Sequence, residues 1–195
     1  VLGIAAVMML VLLFMKVPVF VAVLGGSLIY FLFNPGINQI IFGQKIRIVM
    51  SSRTDAGVHA LDQVFHFDSP TEKEPAKLKN SLNSLLPKDI HIKTIEIKDE
   101  SFHARYSVKK KTYEYLINTG EYDVFLDGLA YQCFYHLDVD LMKKGAEMLR
   151  GRHDFTSFNT STLKEYPDQI RTINEFRILQ KKDLLIIRVT ASGFL

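Results

Sequence analysis

Several features of common protein classes are missing from this sequence of 195 residues, beginning with disulfides. Cys133 is the only cysteine, so the chain forms no internal disulfide and fits a reducing compartment. That cysteine stands in an apolar stretch, which gives no sign of thiol catalysis. The sequence has no glycine-rich phosphate-binding loop and no repeat of fixed period. Disulfide scaffolds, P-loop nucleotide enzymes and repeat proteins are therefore excluded.

Residues 1–33 have almost no charge, with Lys16 as the one charged side chain. An apolar run of this length exceeds the roughly 20 residues that a helix needs to cross a bilayer, so the sequence predicts a membrane segment. Lys16 and Pro18 divide the run, which leaves open one kinked span or a re-entrant hairpin. A buried core helix of a soluble protein is the other interpretation. A cleaved signal peptide fits poorly, because no basic leader or small-residue cleavage site is present.

The same leader has a recognisable pattern around a Val-Pro core. It runs Val-Leu-Leu-Phe-Met-Lys-Val-Pro-Val-Phe-Val-Ala-Val-Leu-Gly-Gly-Ser-Leu and is followed by Asn34-Pro35-Gly36. Over about residues 1–45 it resembles the N-terminal portion of the large membrane subunit of TRAP-type dicarboxylate transporters. One or two spans cannot form a transporter, because a substrate site needs several packed helices. The resemblance therefore implies a membrane anchor at most.

Beyond residue 45 the sequence changes to a charged chain with alternating strand and helix patterns. The turn signal at Asn34-Pro35-Gly36 and the breaker Gly43 indicate a linker at residues 34–45, followed by a domain over residues 46–195. Apolar alternation predicts strands at 47–50, 64–67, 90–97, 111–117, 129–134, 172–179 and 184–190, and helical spacing predicts helices at 72–86 and 138–151. This order predicts an α+β fold, with an antiparallel or mixed sheet and helices on one face, behind a hydrophobic helical leader.

A polar loop between the first two predicted strands, at residues 51–60, contains the first candidate site. Arg53 and Asp55 lie two residues apart beside Gly57, and small neighbours allow a substrate to approach the carboxylate. An arginine can hold the carboxylate ionised, and an ionised carboxylate can act as nucleophile or base. The same two residues could equally form a surface ion pair. His59 is given no proton-transfer role.

A second constellation, at residues 102–115, is basic and aromatic. It contains four cations, Arg105, Lys109, Lys110 and Lys111, interleaved with three tyrosines that include Tyr113. Phosphate contacts combined with stacking platforms are the usual ingredients of RNA binding. A solvated charged face is the alternative, and the net charge of +3 does not decide between them.

The third candidate is the pair His153-Asp154, which follows the second predicted helix. A metal or triad interpretation lacks support, because no cysteine and no second histidine stand at ligand spacing. We therefore predict no metal site.

Four blocks follow one another along the chain. They are Arg53-Thr-Asp-Ala-Gly-Val-His-Ala, then Phe102-His-Ala-Arg-Tyr-Ser with Lys111-Thr-Tyr-Glu-Tyr, then His153-Asp-Phe-Thr-Ser-Phe, and Arg171-Thr-Ile with the closing Ala-Ser-Gly-Phe-Leu. Asn83-Ser-Leu-Leu-Pro-Lys-Asp-Ile stands between the first two. Together they resemble the tRNA pseudouridine synthase A family over about residues 48–195.

The resemblance implies an enzyme of the pseudouridine synthase fold that converts uridine to pseudouridine at positions 38 to 40 in the anticodon arm of tRNA, without cofactor or metal. By the same resemblance Asp55 is the nucleophile, Arg53 pairs with it and helps displace the paired base, and Tyr113 packs on the target uracil. The target base must be flipped out of its stem to be reached. The resemblance also implies a homodimer in the cytoplasm, whereas a genuine leader at residues 1–33 would attach the enzyme to a membrane. For RNA contacts we predict four cations and one histidine: Arg105, Lys109, Lys110, Lys111 and His153.

The sequence departs from the family pattern at both ends. The Tyr-Asp-Gly turn and its helix, expected before the aspartate loop, are replaced by the transporter-like leader, and the chain stops at Leu195, before a further helix that bears an arginine. We therefore expect the chain as written to be weakly stable and catalytically impaired. The alternatives are a non-catalytic RNA-binding remnant and a chimeric reading frame that joins a TRAP transporter membrane segment to a synthase fragment.

Overall fold

The computed structural model describes residues 35–52, 54, 57–158 and 168–194. The predicted membrane segment at residues 1–33 lies outside the described residues, as do Arg53 and Asp55. Among the helices that are described, none is long and apolar enough to span a membrane. The described residues fall into two compact units, one extending to Val108 and the other beginning at Lys109. We call them the N-terminal unit and the C-terminal unit.

The first described element of the N-terminal unit is a helix that was not predicted from the sequence. This helix, α1 (Pro35–Phe42), falls inside the interval interpreted as a linker. Proline is favoured in the first turn of a helix, because its missing N–H has no partner there in any case. Gly43 ends α1 in the left-handed conformation, with φ 70°, and its N–H donates to the Gln39 carbonyl at 3.0 Å. The signal for Gly43 as a breaker was therefore right, and the turn signal at Asn34-Pro35-Gly36 marks the start of a helix.

Two short strands and a further helix are the other regular elements among the described residues of this unit. Strands β1 (Ile48–Met50) and β2 (Phe65–Phe67) pair antiparallel, with Ile48 opposite Phe67. Helix α2 (Pro75–Leu85) buries Leu78 and Leu82, which stand one turn apart, so the predicted helical face is confirmed. The core of the unit consists of buried aliphatic side chains from these elements and the segments beside them: Ile46, Ile48, Leu78, Leu82, Leu86 and Ile92.

The predicted strand at residues 90–97 is wrong, because no strand forms there. Asn83 on α2 takes up both backbone groups of Ile92: its Oδ1 accepts from the Ile92 N–H at 2.7 Å, and its Nδ2 donates to the Ile92 carbonyl at 3.0 Å. These are the groups that a strand would use in a ladder. Ile92 is buried while Ile97 is 81% exposed, so the alternation reflects contact with the core rather than pairing in a sheet.

The C-terminal unit is built on a five-stranded sheet. Its strands are β3 (Lys111–Asn118), β4 (Tyr131–Gln132), β5 (Gly151–Asp154), β6 (Ile170–Lys181) and β7 (Leu184–Ala191), in the order β4-β3-β7-β6-β5. Every pair is antiparallel except β3 with β4, which is parallel. The prediction of an α+β fold with a mixed sheet is therefore confirmed for the described residues. The predicted strand at 129–134 shortens to the two residues of β4, and β5 was not predicted.

In the described part of this unit, a helix packs against the sheet. Helix α3 (Val139–Met148) is capped by Asp138, whose carboxylate accepts from the Leu141 N–H at 2.8 Å, so the predicted acidic start is confirmed. Ala146 of α3 is 1% exposed and Leu185 of β7 is fully buried, and both belong to one apolar cluster. A single 3₁₀ turn, Thr156–Phe158, follows β5.

Candidate functional site

The loop between β1 and β2, which contains the Arg53-Thr54-Asp55 motif, is held together at its base. The Ser51 N–H donates to the Val64 carbonyl at 2.9 Å. The Gln63 amide donates to the Ser51 hydroxyl and to the Ser52 carbonyl, both at 3.2 Å. Gly57 has φ 76°, a conformation that other residues rarely adopt, so the loop needs a glycine at this position. Hydrogen bonds therefore fix the two ends of the loop between which Arg53 and Asp55 stand.

His66 of β2 joins this hairpin to the second motif. Its Nδ1 accepts a hydrogen bond from the Ala104 N–H at 3.0 Å. Ala104 is 1% exposed, and the His66 ring lies 4.8 Å from that of His103 and 6.1 Å from that of Phe102. The turn at residues 102–107 is thereby fastened to the strand that follows the loop.

Within that turn, His103 arranges the residues that point outward. Its ring Nδ1 accepts hydrogen bonds from the backbone N–H of Arg105 at 3.2 Å and of Tyr106 at 3.3 Å. The backbone N–H of His103 donates to the Ser107 hydroxyl at 3.0 Å. The rings of His103 and Tyr106 stack 4.3 Å apart. Tyr106 is 80% exposed and Arg105 is exposed as well, so a cation and an aromatic face stand side by side in solvent.

In the C-terminal unit, residues from several of the sequence motifs lie at the same end of the five-stranded sheet. Strand register brings the start of β3 beside the end of β7, with Lys111 opposite Ala191, and the end of β5 beside the start of β6, with His153 opposite Arg171. The ring of Tyr113 meets that of Phe194 edge to face at 4.8 Å, and Tyr113 is 36% exposed. Within the C-terminal unit, the Lys111-Thr-Tyr-Glu-Tyr segment therefore meets the His153 block and the block of Arg171 and the closing residues at this sheet end.

Three of the predicted cations, all lysines, are found at this sheet end. Lys109 and Lys110 are exposed, and Lys111 is half-buried at the first position of β3. Lys110 also lines a cavity of about 490 Å³ with Arg150 and Arg177, whose own carboxylate partners, Glu147 and Glu175, line it too. Lys109 and Lys110 are therefore open to solvent at this sheet end.

His153 is already engaged within the protein. Its Nε2 lies 2.7 Å from the Arg150 carbonyl, and its ring meets Phe155 edge to face at 6.1 Å. Among the described residues no group of histidine, cysteine and carboxylate side chains could hold a metal ion. In the structure, therefore, His153 orders the turn between α3 and β5.

Tyr115 in the middle of β3 and Asp154 at the end of β5 have shifted pKa values. Burial, with a smaller contribution from Tyr131, raises the pKa of Tyr115, so its hydroxyl stays protonated at neutral pH. Hydrogen bonds from the Thr156 hydroxyl and then from the Thr156 N–H lower the pKa of Asp154. Asp154 is therefore ionised and serves to cap the 3₁₀ turn.

Sequence reasoning missed two residues of this arrangement. His66 was treated as part of an apolar strand, although a histidine between Phe65 and Phe67 is itself a signal of a polar contact. Phe194 was quoted only as part of the closing block, and its contact with Tyr113 depends on a pairing between strands far apart in sequence.

Comparison with known proteins gives a consistent result. A family model described as tRNA pseudouridine synthase matches residues 25–107 and 146–195. The chain is 44% identical over 153 residues to the tRNA pseudouridine synthase A of Bacillus licheniformis, an alignment that covers 78% of this chain and 62% of the relative. It is 45% identical over 152 residues to the protein of the same name from Bacillus subtilis, with 77% and 61% covered. The chain thus spans about three fifths of the length of these relatives.

Proposed function

The chain belongs to the tRNA pseudouridine synthase family, and from this membership we propose that it isomerises uridine to pseudouridine in the anticodon arm of tRNA. The observation that carries the proposal is the loop between β1 and β2. Its base is fixed by the bonds of Ser51 with Val64 and Gln63, and it contains the Arg53-Thr54-Asp55 motif. A polar loop on a rigid hairpin is the usual carrier of catalytic side chains.

In the proposed reaction Asp55 is the nucleophile. Its carboxylate forms a covalent adduct with the target nucleotide and the N1–C1′ glycosidic bond breaks, so that the uracil leaves with the bonding electron pair. The uracil then turns and its C5 bonds to C1′, while the bond between Asp55 and the nucleotide breaks and frees the carboxylate. A proton leaves C5 and N1 gains one, so atoms and electrons balance with no second substrate, cofactor or metal. In this proposal Arg53 pairs with Asp55 and displaces the paired base, and Tyr113 packs on the target uracil.

The RNA contacts that we propose come from exposed cations in the turn at residues 102–107 and at the start of β3. Arg105 stands beside the exposed ring of Tyr106, which suits phosphate contact together with stacking. Lys109 and Lys110 are exposed at the start of β3, next to Lys111. His153 stays in the proposal as a residue that can reach RNA with the face of its ring, since its Nε2 is engaged by Arg150.

The same proposal includes an oligomeric state and a cellular location. We expect the chain to form a homodimer, which sedimentation at graded concentrations would detect and a constant monomer mass would contradict. We expect the enzyme to act in the cytoplasm and, if residues 1–33 are embedded as the sequence predicts, at a membrane. Flotation with lipid vesicles tests the second expectation, because the chain without residues 1–33 should no longer float.

The reaction can be tested with tRNA whose uridines contain tritium at C5, because the proposed chemistry releases that hydrogen to water. We expect tritium release from a tRNA with uridine at positions 38 to 40, and none from the same tRNA with cytidine at these positions. Binding of tRNA without any release would instead favour a non-catalytic RNA-binding protein. Release that persists after the cytidine replacements would contradict the proposed target.

A further inference from the structure

The segment between β3 and α3 exposes an unusual group of aromatic side chains. Five rings at residues 122–135, which we call the aromatic loop, are more than half exposed: Tyr122 54%, Phe125 86%, Tyr131 52%, Phe134 71% and Tyr135 77%. Single exposed apolar residues are normal, whereas a group of them marks an interaction site. Aromatic residues are also enriched at protein interfaces. None of these residues has a part in the reaction proposed above.

The aromatic loop is an ordered structure. Asn118, which is 4% exposed, donates from its amide to the Glu121 carbonyl at 2.7 Å and to Gln132 Oε1 at 2.8 Å. Gln132 in turn donates to the Asp123 carbonyl at 3.1 Å, and the Cys133 N–H donates to the Asn118 carbonyl at 2.8 Å. Because the backbone is fixed, a partner that binds here does not have to order the loop first.

The aromatic loop itself contains acidic but no basic side chains. Between Asn118 and Asp138 the chain has three carboxylate residues, Glu121, Asp123 and Asp127, and no lysine or arginine. The negative charge of Asp127 raises the pKa of the Tyr122 hydroxyl, with smaller contributions from burial and from their hydrogen bond. These carboxylates repel RNA phosphates and anionic lipid headgroups and attract cations.

We propose that the aromatic loop is a docking surface for a protein segment in which Lys or Arg side chains stand beside apolar ones. The exposed rings bury the apolar side chains and attract the cations through their π faces. The carboxylates add electrostatic complementarity, which speeds association and excludes acidic partners. Within the C-terminal unit the aromatic loop follows the end of β3, whereas Lys109, Lys110 and Lys111 stand at its start, so this unit can hold both partners.

The test is a selection of random displayed peptides on the wild-type chain, followed by affinity measurements on the enriched sequences. We expect the enriched peptides to contain Lys or Arg next to apolar residues. The double variant Phe125→Ser, Phe134→Ser should weaken their binding by about tenfold or more, since buried aromatic anchors dominate interfaces. The charge variant Glu121→Lys, Asp127→Lys keeps these two phenylalanines and should weaken the same peptides by a similar factor.

Two control variants show whether the loss of peptide binding is specific to the aromatic loop or follows from removing any exposed apolar side chain or reversing any exposed charge. Met148→Ser removes another exposed apolar side chain of the same unit, 57% exposed, and Glu100→Lys reverses an exposed charge elsewhere; neither should change peptide affinity. Circular dichroism checks that the variants fold. The proposal is overturned if no peptide is enriched, if the enriched peptides are acidic or uncharged, or if the loop variants bind them normally. Loss of tRNA binding or of self-association in the Phe125 and Phe134 variant would identify RNA or a second copy as the occupant and would also overturn it.

Discussion

At the scale of single residues, His66 is the clearest link between two motifs that are far apart in sequence. Its Nδ1 is the acceptor for the Ala104 N–H, and Ala104 is almost fully buried. An imidazole nitrogen accepts only when it carries no proton, so the contact fixes which tautomer of His66 is present. The bond holds in place the turn from which Arg105 and Tyr106 project.

We predict that His66→Leu destabilises the chain by about 1–3 kcal/mol, because a buried N–H loses its acceptor. His66→Asn should restore part of this, since an amide oxygen can accept the same bond. Urea unfolding measures both. Affinity for tRNA should fall with His66→Leu and recover with His66→Asn, in parallel with stability. Equal stability of the two variants would show that the contact with Ala104 contributes little.

The capping of the 3₁₀ turn by Asp154 predicts a dependence on pH. The Thr156 hydroxyl lowers the pKa of Asp154 below its unfolded value of about 3.9. The carboxylate therefore stabilises the folded chain above that pH, and this contribution is lost as the pH falls through the folded pKa. Thr156→Val should reduce stability at neutral pH and flatten the fall of stability as the pH drops below the unfolded pKa, whereas Thr156→Ser should behave like wild type. Denaturation curves at graded pH test this, and identical profiles for the Thr156→Val and Thr156→Ser variants would refute the role of the hydroxyl.

At the scale of elements, the two ends of the five-stranded sheet differ in their exposed side chains. Lys109, Lys110 and Tyr113 stand at the end where β3 and β6 begin, whereas the turn between β6 and β7 at the other end offers Lys181 and Lys182. Both pairs of lysines are exposed. They therefore form a matched comparison within one unit.

Replacing Lys109 and Lys110 by glutamine should weaken tRNA binding, because each lysine that contacts a phosphate releases a counterion. The slope of log K against log salt should become less steep by about 0.7–0.9 for each phosphate contact that is lost. The same replacements at Lys181 and Lys182 should leave affinity and slope unchanged. Filter-binding titrations at several salt concentrations measure both pairs, and equal effects of the two pairs would indicate general charge attraction rather than a site.

The apolar periodicity of the sequence predicts some of these elements and not others. It marks residues that are buried in the core, but it does not show whether their backbone pairs with a neighbouring strand. Helix α3 and strands β3, β6 and β7 follow from their periodicity, since the apolar residues that mark them also form the core. The alternation around Ile92 reports burial alone, because Asn83 occupies the backbone groups of that residue. Strand β5 has the polar sequence Gly-Arg-His-Asp, so only its partner β6 makes it a strand. The contact of Tyr113 with Phe194 likewise needs the register of β3 with β7.

At the scale of the whole molecule, the described residues form two units with separate apolar cores. Leu185 is fully buried in the cluster of the C-terminal unit, and Leu82 is 5% exposed in that of the N-terminal unit. Among the described residues, no buried side chain belongs to both clusters. Each core therefore depends on its own side chains.

We predict that Leu185→Ala costs about 2–5 kcal/mol of stability and that the loss is concentrated in the C-terminal unit. Hydrogen exchange should accelerate most in β3, β6 and β7. Leu82→Ala is the matched variant and should accelerate exchange most in α2. If both variants loosen all elements to the same degree, the two clusters do not define separate cooperative units.

We propose that this chain catalyses uridine isomerisation through Asp55, and single-turnover kinetics can test the role of this residue. The experiment compares the release of tritium from C5-labelled tRNA by the wild-type chain and by Asp55→Asn. Asparagine keeps the size of the side chain but cannot act as the nucleophile, so we expect release by wild type and a rate lower by at least about 10⁴-fold in the variant, with tRNA affinity nearly unchanged. Equal rates of release by the two proteins would show that Asp55 is not the nucleophile.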